Sequence, residues 1–371
     1  MIGIFLGLTL SKGGGFSLAA FMAAQSDGLW YDFTKTDRLF QENVGPTPVA
    51  VANDVIGLAL SQRLWGGKTL AAYLASQPEL KGRGTPVLAG TATAATYNTS
   101  TGDGTVTRVD FNNQSGVAFS GLSPGRTYAI DITGPTGLIF RDGAIVIGSL
   151  VASLSATGRA TYFIQTGTSS TGLCIAATAS GGTQTFTVHS FKEVSRYPAS
   201  QATTSFKPKF QTAGCTFDGA DDRLLTGYAA GSGDNFVMLP TTTVPASIAS
   251  TQVLAGALDG ASNGAYVAIT TAGALRVKLG STTLDSTGVD LRNGVHDIGW
   301  WTDGATLYLY ADGAIVGSGA WSGTTPATTW NLGALNNNGT PSNFFGGSLM
   351  NALAGRQSLS LTLANQIAQA A

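Results

Sequence analysis

Residues Trp301-Thr302-Asp303-Gly304-Ala305-Thr306-Leu307-Tyr308-Leu309-Tyr310-Ala311-Asp312-Gly313 set two Asp-Gly pairs around one short apolar run. Asp-Gly supplies the positive backbone angles of a tight turn, so the flanking runs are expected to meet as antiparallel strands. The same grammar fills most of the chain. Short apolar runs occur at 106–111, 116–119, 127–133, 144–147, 160–165, 173–178 and 185–191, punctuated by Pro124-Gly125, Gly134-Pro135 and Gly181-Gly182. They resume at 253–258, 266–269, 275–279, 296–301, 306–310 and 314–318. Helical readings are confined to 16–25, 70–74 and 361–368. The fold class expected is all-β: two successive antiparallel β-sandwiches after a mixed N-terminal segment.

With 371 residues the chain exceeds one domain of ordinary size, and an apolar fraction of 43% suffices for real cores. Charged residues are only 11%, against a norm of about 25%. Glycine, threonine and serine fill the gap, which suits extracellular β proteins and fibres and does not suit a disordered chain. No block of like charge is present, so there is no nucleic-acid footprint. Cys174 and Cys215 are expected as isolated buried thiols ahead of a bridge, and His189 and His296 without a Cys/His cluster give no zinc site.

The first ten residues carry no basic leader and are too short to span a bilayer, so no membrane insertion is expected. Ile2, Ile4, Leu6, Leu8 and Leu10 alternate as a strand ahead of a Gly13-Gly14-Gly15 hinge. That strand has two candidate docks, a sheet edge of its own chain or of another subunit. The organisation expected is an attachment and oligomerisation segment at 1–82, a sandwich at 83–197, a linker at 198–210 holding Pro198 and Pro208, and a second sandwich at 211–371.

Phe217-Asp218-Gly219-Ala220-Asp221-Asp222-Arg223-Leu224, the hairpin from Asp303 to Gly313, Asn331-Leu332-Gly333-Ala334, and Phe345-Gly346-Gly347-Ser348-Leu349 follow one another in the last part of the chain. Through them residues 211–371 resemble the laminin-G/concanavalin-A-like modules of bacteriophage virion proteins. Residues 83–197 are similar to carbohydrate-binding-module-like jelly rolls, through Gly125-Arg126-Thr127-Tyr128 and Phe186-Thr187-Val188-His189-Ser190-Phe191. Leu29-Trp30-Tyr31-Asp32 is similar to the opening of such phage proteins.

The resemblance implies a structural protein at the virion surface, a tail or head fibre or spike, that meets host cell-surface polysaccharide. It also implies contact with other virion proteins through 1–82 and a homo-oligomer, with a trimer favoured. The alternatives are a capsid or tail decoration protein without glycan binding and, behind it, a secreted lectin or polysaccharide hydrolase.

Catalysis is not expected. Sandwich glucanases are expected to hold two glutamates on one strand, whereas Glu42, Glu79 and Glu193 lie far apart in this chain and none is in the last sandwich. Asp221 and Asp222 are adjacent, so on a strand they would face opposite sides; turn capping is the expected role. No Gly-x-Ser-x-Gly elbow is followed by a plausible acid and histidine, and the Gly-rich stretch Lys12-Gly13-Gly14-Gly15 lacks the strand–loop–helix context of a phosphate loop. Glycan-binding candidates are Trp321 and Trp330 as stacking surfaces, with Asn336, Asn337, Asn338 and Asn343 as amide donors. For Trp300 and Trp301 core packing is expected, because one of an adjacent pair must face inward. Calcium is the one candidate cofactor that the laminin-G resemblance implies, through Asp218, Asp221 and Asp222.

Overall fold

The computed structural model describes residues 16–371 except 91–93, 111–112, 145–147, 156, 179–181, 213, 232, 234, 261–262, 322–324 and 326. The expected leading strand and glycine hinge at 1–15 lie outside the described residues. The protein is nearly all β, built from antiparallel sheets in two sandwiches. No helix among the described residues is long and apolar enough to cross a membrane.

The first sandwich orders its strands Leu150–Ser153, Leu138–Asp142, Gly172–Ala177, Gln114–Ser120, Asp103–Arg108, Gly182–Arg196, Arg126–Gly134 and Gly158–Gln165. Strand Gly182–Arg196 pairs along its first half with Asp103–Arg108 and along its second with Arg126–Gly134. Register shifts at Val188/Ser190 and Glu193/Ser195 mark bulges, which bend a strand and let one long segment serve both layers. The layers close over Val106, Phe119, Tyr128, Phe140, Tyr162 and Phe191, all about 1% exposed or less. Of the expected strand 144–147, Ala144 lies in a turn and 145–147 are outside the described residues; strand Leu138–Asp142 stands upstream of it.

The second sandwich faces a sheet containing Phe236–Val244, Gly294–Thr302, Thr306–Ala311 and Ala314–Ala320 against one containing Gln252–Leu258, Gly264–Ile269 and Leu275–Gly280. The Asp312-Gly313 hairpin forms as expected, with φ of 47° and 89° joining Thr306–Ala311 to Ala314–Ala320. Trp300 packs between the sheets at 0% exposed, and Trp301 is equally withdrawn on the opposite face at 2%. Trp301 is buried there because helices cover the outer face.

Helix α1 (Leu18–Ala24) and helix α2 (Leu361–Ala370) lay Phe21, Met22, Ala364 and Ile367 against Trp301, Phe236 and Leu353. Each helix starts on a serine: Ser17 Oγ accepts the Ala20 amide at 3.3 Å and Ser360 Oγ the Leu363 amide at 3.2 Å. Helices this short do not persist alone, so the covered sheet face is what keeps them folded.

Within the N-terminal 82 residues, three short strands join the sheets of the second sandwich. Strand Gly28–Asp32 pairs with Asn351–Gly355, and Leu39–Phe40 and Leu58–Ala59 extend the opposite sheet. The expected linker also contributes strands, Ala199–Ser200 and Lys209–Gln211. Strands of two or three residues gain stability only by joining an existing sheet, so the stretch that looked least regular completes the second sandwich.

Candidate functional site

The outer face of the first sandwich carries a threonine lattice. Thr183, Thr185 and Thr187 alternate outward along one strand while Phe186 and Val188 turn into the core. The pairing register sets Thr107 opposite Thr183, Thr105 opposite Thr185, and Asp103 and Thr133 on either side of Thr187. Strand Thr96–Tyr97 adds Thr96 beside Thr105. The hydroxyls join in pairs across the strands: Thr96 to Thr105 at 2.8 Å and Thr107 to Thr183 at 2.9 Å. Thr187 donates to Asp103 Oδ1 at 2.7 Å, Thr101 donates to Asp103 Oδ2 at 2.8 Å, and Thr133 meets His189 Nε2 at 2.8 Å.

Over this lattice lies a trough of about 890 Å³, also lined by Tyr97, Asn98, Pro135, Thr157 and Gln184. That size suits a small ligand or a stretch of a longer one. Tyr97 is half-buried, its hydroxyl donates to the Lys81 carbonyl at 3.0 Å, and burial holds its phenol well above the ordinary value, so it stays neutral. Asp103 is the one charged side chain among the described lining residues, and the bonds from Thr187 and Thr101 hold its carboxyl below the ordinary value.

The candidates drawn from the sequence fare differently. Trp321 and Trp330 are each 3% exposed and belong to the core of the second sandwich. Trp330 packs edge-on against Tyr228 with ring centres 5.3 Å apart, so neither indole offers a face to a sugar. The glycines around Trp321 suggested exposure, but the chain returns there to the sheet, with the Trp321 amide on the Ala305 carbonyl at 2.7 Å.

The asparagines do share one corner, as turn formers. Strands Leu335–Asn337 and Thr340–Ser342 make a hairpin through Asn338-Gly339, with φ of 49° and 92°. Asn336 Nδ2 donates to the Thr329 carbonyl at 2.6 Å while its Oδ1 accepts the Gly339 amide at 2.7 Å. Asn343 Nδ2 donates to the Thr251 carbonyl at 3.0 Å, and only Asn337 and Asn338 keep exposed amides without such a bond.

Asp218, Asp221 and Asp222 come together, one carboxylate oxygen from each lying within 4.8 Å of the others. Asp218 Oδ1 accepts the amides of Ala220 at 2.8 Å, Asp221 at 3.2 Å and Asp222 at 3.4 Å, and Asp222 Oδ2 accepts the Asp218 amide at 3.0 Å. These bonds are the turn capping expected from the sequence. A calcium ion takes six to eight oxygens, and this donor set fits it poorly because two of the three carboxylates already hold the turn. Burial, then the neighbouring Asp218 carboxylate, push Asp222 up to about 7, which weakens it further as a ligand. Cys174 and Cys215 are free buried thiols, one in each sandwich, and burial pushes Cys174 up to about 12.

The lining of the trough is rich in threonine, a residue type this chain carries throughout, so no single residue in the sequence marks it. Its signal was present: Thr183, Thr185 and Thr187 alternate at period two, as do Asp103, Thr105 and Thr107. What the sequence lacked was the register that sets one row against the other.

No family model and no curated protein matches the chain. Among solved structures, similarity extends to the CBM40 of the Ruminococcus gnavus IT-sialidase bound to alpha2,3 sialyllactose. That match has 20% identity over 38% of this chain and 84% of the other, with a TM-score of 0.31. A native heptameric SAP-like pentraxin from Limulus polyphemus matches at 13% identity over 41% of this chain and 80% of the other, with a TM-score of 0.32. A candidate carbohydrate-binding protein from Bacteroides ovatus matches at 10% identity over 68% and 77%, with a TM-score of 0.32. Scores of this size carry no argument; the fold assignment rests on the strand pairing itself.

Proposed function

We propose that this protein is a non-catalytic recognition component of a virion surface that contacts host glycans through the trough on its first sandwich. The threonine lattice carries the reading. A sugar chain presents hydroxyls that both donate and accept, and a threonine hydroxyl can answer in either sense. Thr185, at the centre, is exposed and makes no side-chain hydrogen bond among the described residues. Rows of rigid β-branched residues present these groups at low entropic cost, and bridging water can complete contacts that fall short.

The carboxylates favour binding over hydrolysis. Glu42 caps Thr47, Glu79 accepts from Ser190 and the Phe191 amide, and Glu193 faces Arg126 at 3.6 Å. The trough lining contains one carboxylate among its described residues, where glycosidases place two across the bond.

The virion setting and a homo-oligomer, with a trimer favoured, are supported by the sequence resemblance. Repeated copies would raise weak single contacts to useful avidity. The test is binding of the full-length protein to an array of bacterial surface polysaccharides, beside a Thr105→Val/Thr185→Val double variant that keeps the side-chain shape. Binding by the parent that falls about tenfold in the variant, at unchanged melting temperature, is expected from losing two hydrogen bonds. An array with no bound glycan would overturn the reading and leave a purely structural decoration role.

A further inference from the structure

We infer that the trough selects by charge, accepting uncharged glycan segments and discriminating against uronate or sialate segments, with Asp103 as the selecting residue. The inference rests on the glycan reading above and adds the chemical class of the ligand. Among the described lining residues there is no lysine or arginine, so nothing offers the paired donors that a sugar carboxylate wants.

The cations nearby are engaged elsewhere or stand outside the lining. Arg159 holds Asp131 through contacts of 3.0, 3.2 and 2.6 Å. Arg108 donates to the Thr178 carbonyl at 2.8 Å and the Asp110 carbonyl at 3.3 Å. Neither Lys81 nor His189 lines the trough.

Asp103 cannot easily swing away. Thr187 holds one of its oxygens and Thr101 the other, and its own amide donates back to Thr101 Oγ1 at 3.3 Å. A carboxylate-bearing sugar in the trough therefore meets a fixed negative charge that a neutral sugar does not meet. A neutral sugar can instead donate a hydroxyl to it, which is a charge-assisted bond. At this solvent-facing site the discrimination is expected to be about three- to tenfold at low salt and to shrink as salt screens it.

The experiment compares two forms of one chain. An alternating hexose–hexuronate polysaccharide is used as isolated and after carbodiimide activation and borohydride reduction, which converts each carboxylate to a primary alcohol. Binding of both forms to the full-length protein and to Asp103→Asn is followed by titration calorimetry at 20 mM and 500 mM salt. The expected result is a three- to tenfold preference of the parent for the reduced form, shrinking at high salt, and a ratio near one for D103N at both salts. Salt dependence of the ratio separates charge selection from a shape change in the variant. Equal binding of both forms by the parent, preference for the acidic form, or a preference that survives in D103N would overturn charge selection alone. Binding of neither form would overturn the glycan reading together with this inference.

Discussion

Asp222 shows how one side chain couples the turn at 218–222 to solution conditions. The folded protein holds its proton up to about 7, where an ordinary aspartate releases it near 3.8. The folded state therefore binds a proton that the unfolded chain has lost across that window. Its contribution favours folding most below the lower value and is lost as the pH rises through the upper one. Asp222→Asn keeps an oxygen for the Asp218 amide and removes the titration. The variant should melt above the parent at pH 8 by an amount reflecting about 1–2 kcal/mol after solvent screening, with the gap closing towards pH 4. Thermal melts of both proteins across that range check it; a gap independent of pH would refute the assignment.

At the scale of elements, the strand Gly28–Asp32 is the most consequential piece. Gly28 has φ of +145° and lies so close to the opposing strand that a Cβ would collide with the Ala354 carbonyl. Leu29 and Tyr31 enter the core between the sheets, and Trp30 joins the helices on the outer face. Removing residues 1–60 takes this strand, helix α1 and two further strands from the second sandwich. Side chains such as Phe236 and Leu353 then meet water, at about 1.5–3 kcal/mol each. The truncated protein is expected to lose the near-ultraviolet signal of its packed tryptophans and to fall to protease within the second sandwich. A truncated protein that stayed fully folded would return residues 1–60 to the role of a detachable segment.

At the scale of the whole molecule, the sandwiches are joined through side chains as well as the chain. Trp65 is 1% exposed, donates from Nε1 to the Val194 carbonyl at 3.1 Å, stacks on Tyr73 and lies 5.0 Å from the Arg38 guanidinium. Around it Phe40 and Leu58 of the N-terminal part meet Ala129 and Phe163 of the first sandwich. Asp27 ties the same junction, with Arg196 at 3.1 Å from the first sandwich and Arg356 at 3.6 Å from the second. Trp65→Ala should cost about 3–5 kcal/mol and fall on this seam. Calorimetry is expected to split one unfolding transition into two as the sandwiches uncouple. A single transition shifted as a whole would show that the seam is not what couples them.

The Asp312-Gly313 hairpin, the alternation of apolar runs and the short helices were legible in the chain, because each depends on neighbours in sequence. The turn role of Asp218 was legible for the same reason: a short carboxylate finds the next few amides wherever it sits. Burial of Trp321 and Trp330 and membership of Gly28–Asp32 in a sheet more than 300 residues downstream were not, since both depend on which distant segments pack together. The threonine rows lie between these cases. The sequence by itself determined that each row would face one way, through the two-residue period of a strand. Only the tertiary structure decided that the rows stand side by side, with Asp103 clamped between hydroxyls, because register is set by the core beneath the sheet and by the bulges that bend it.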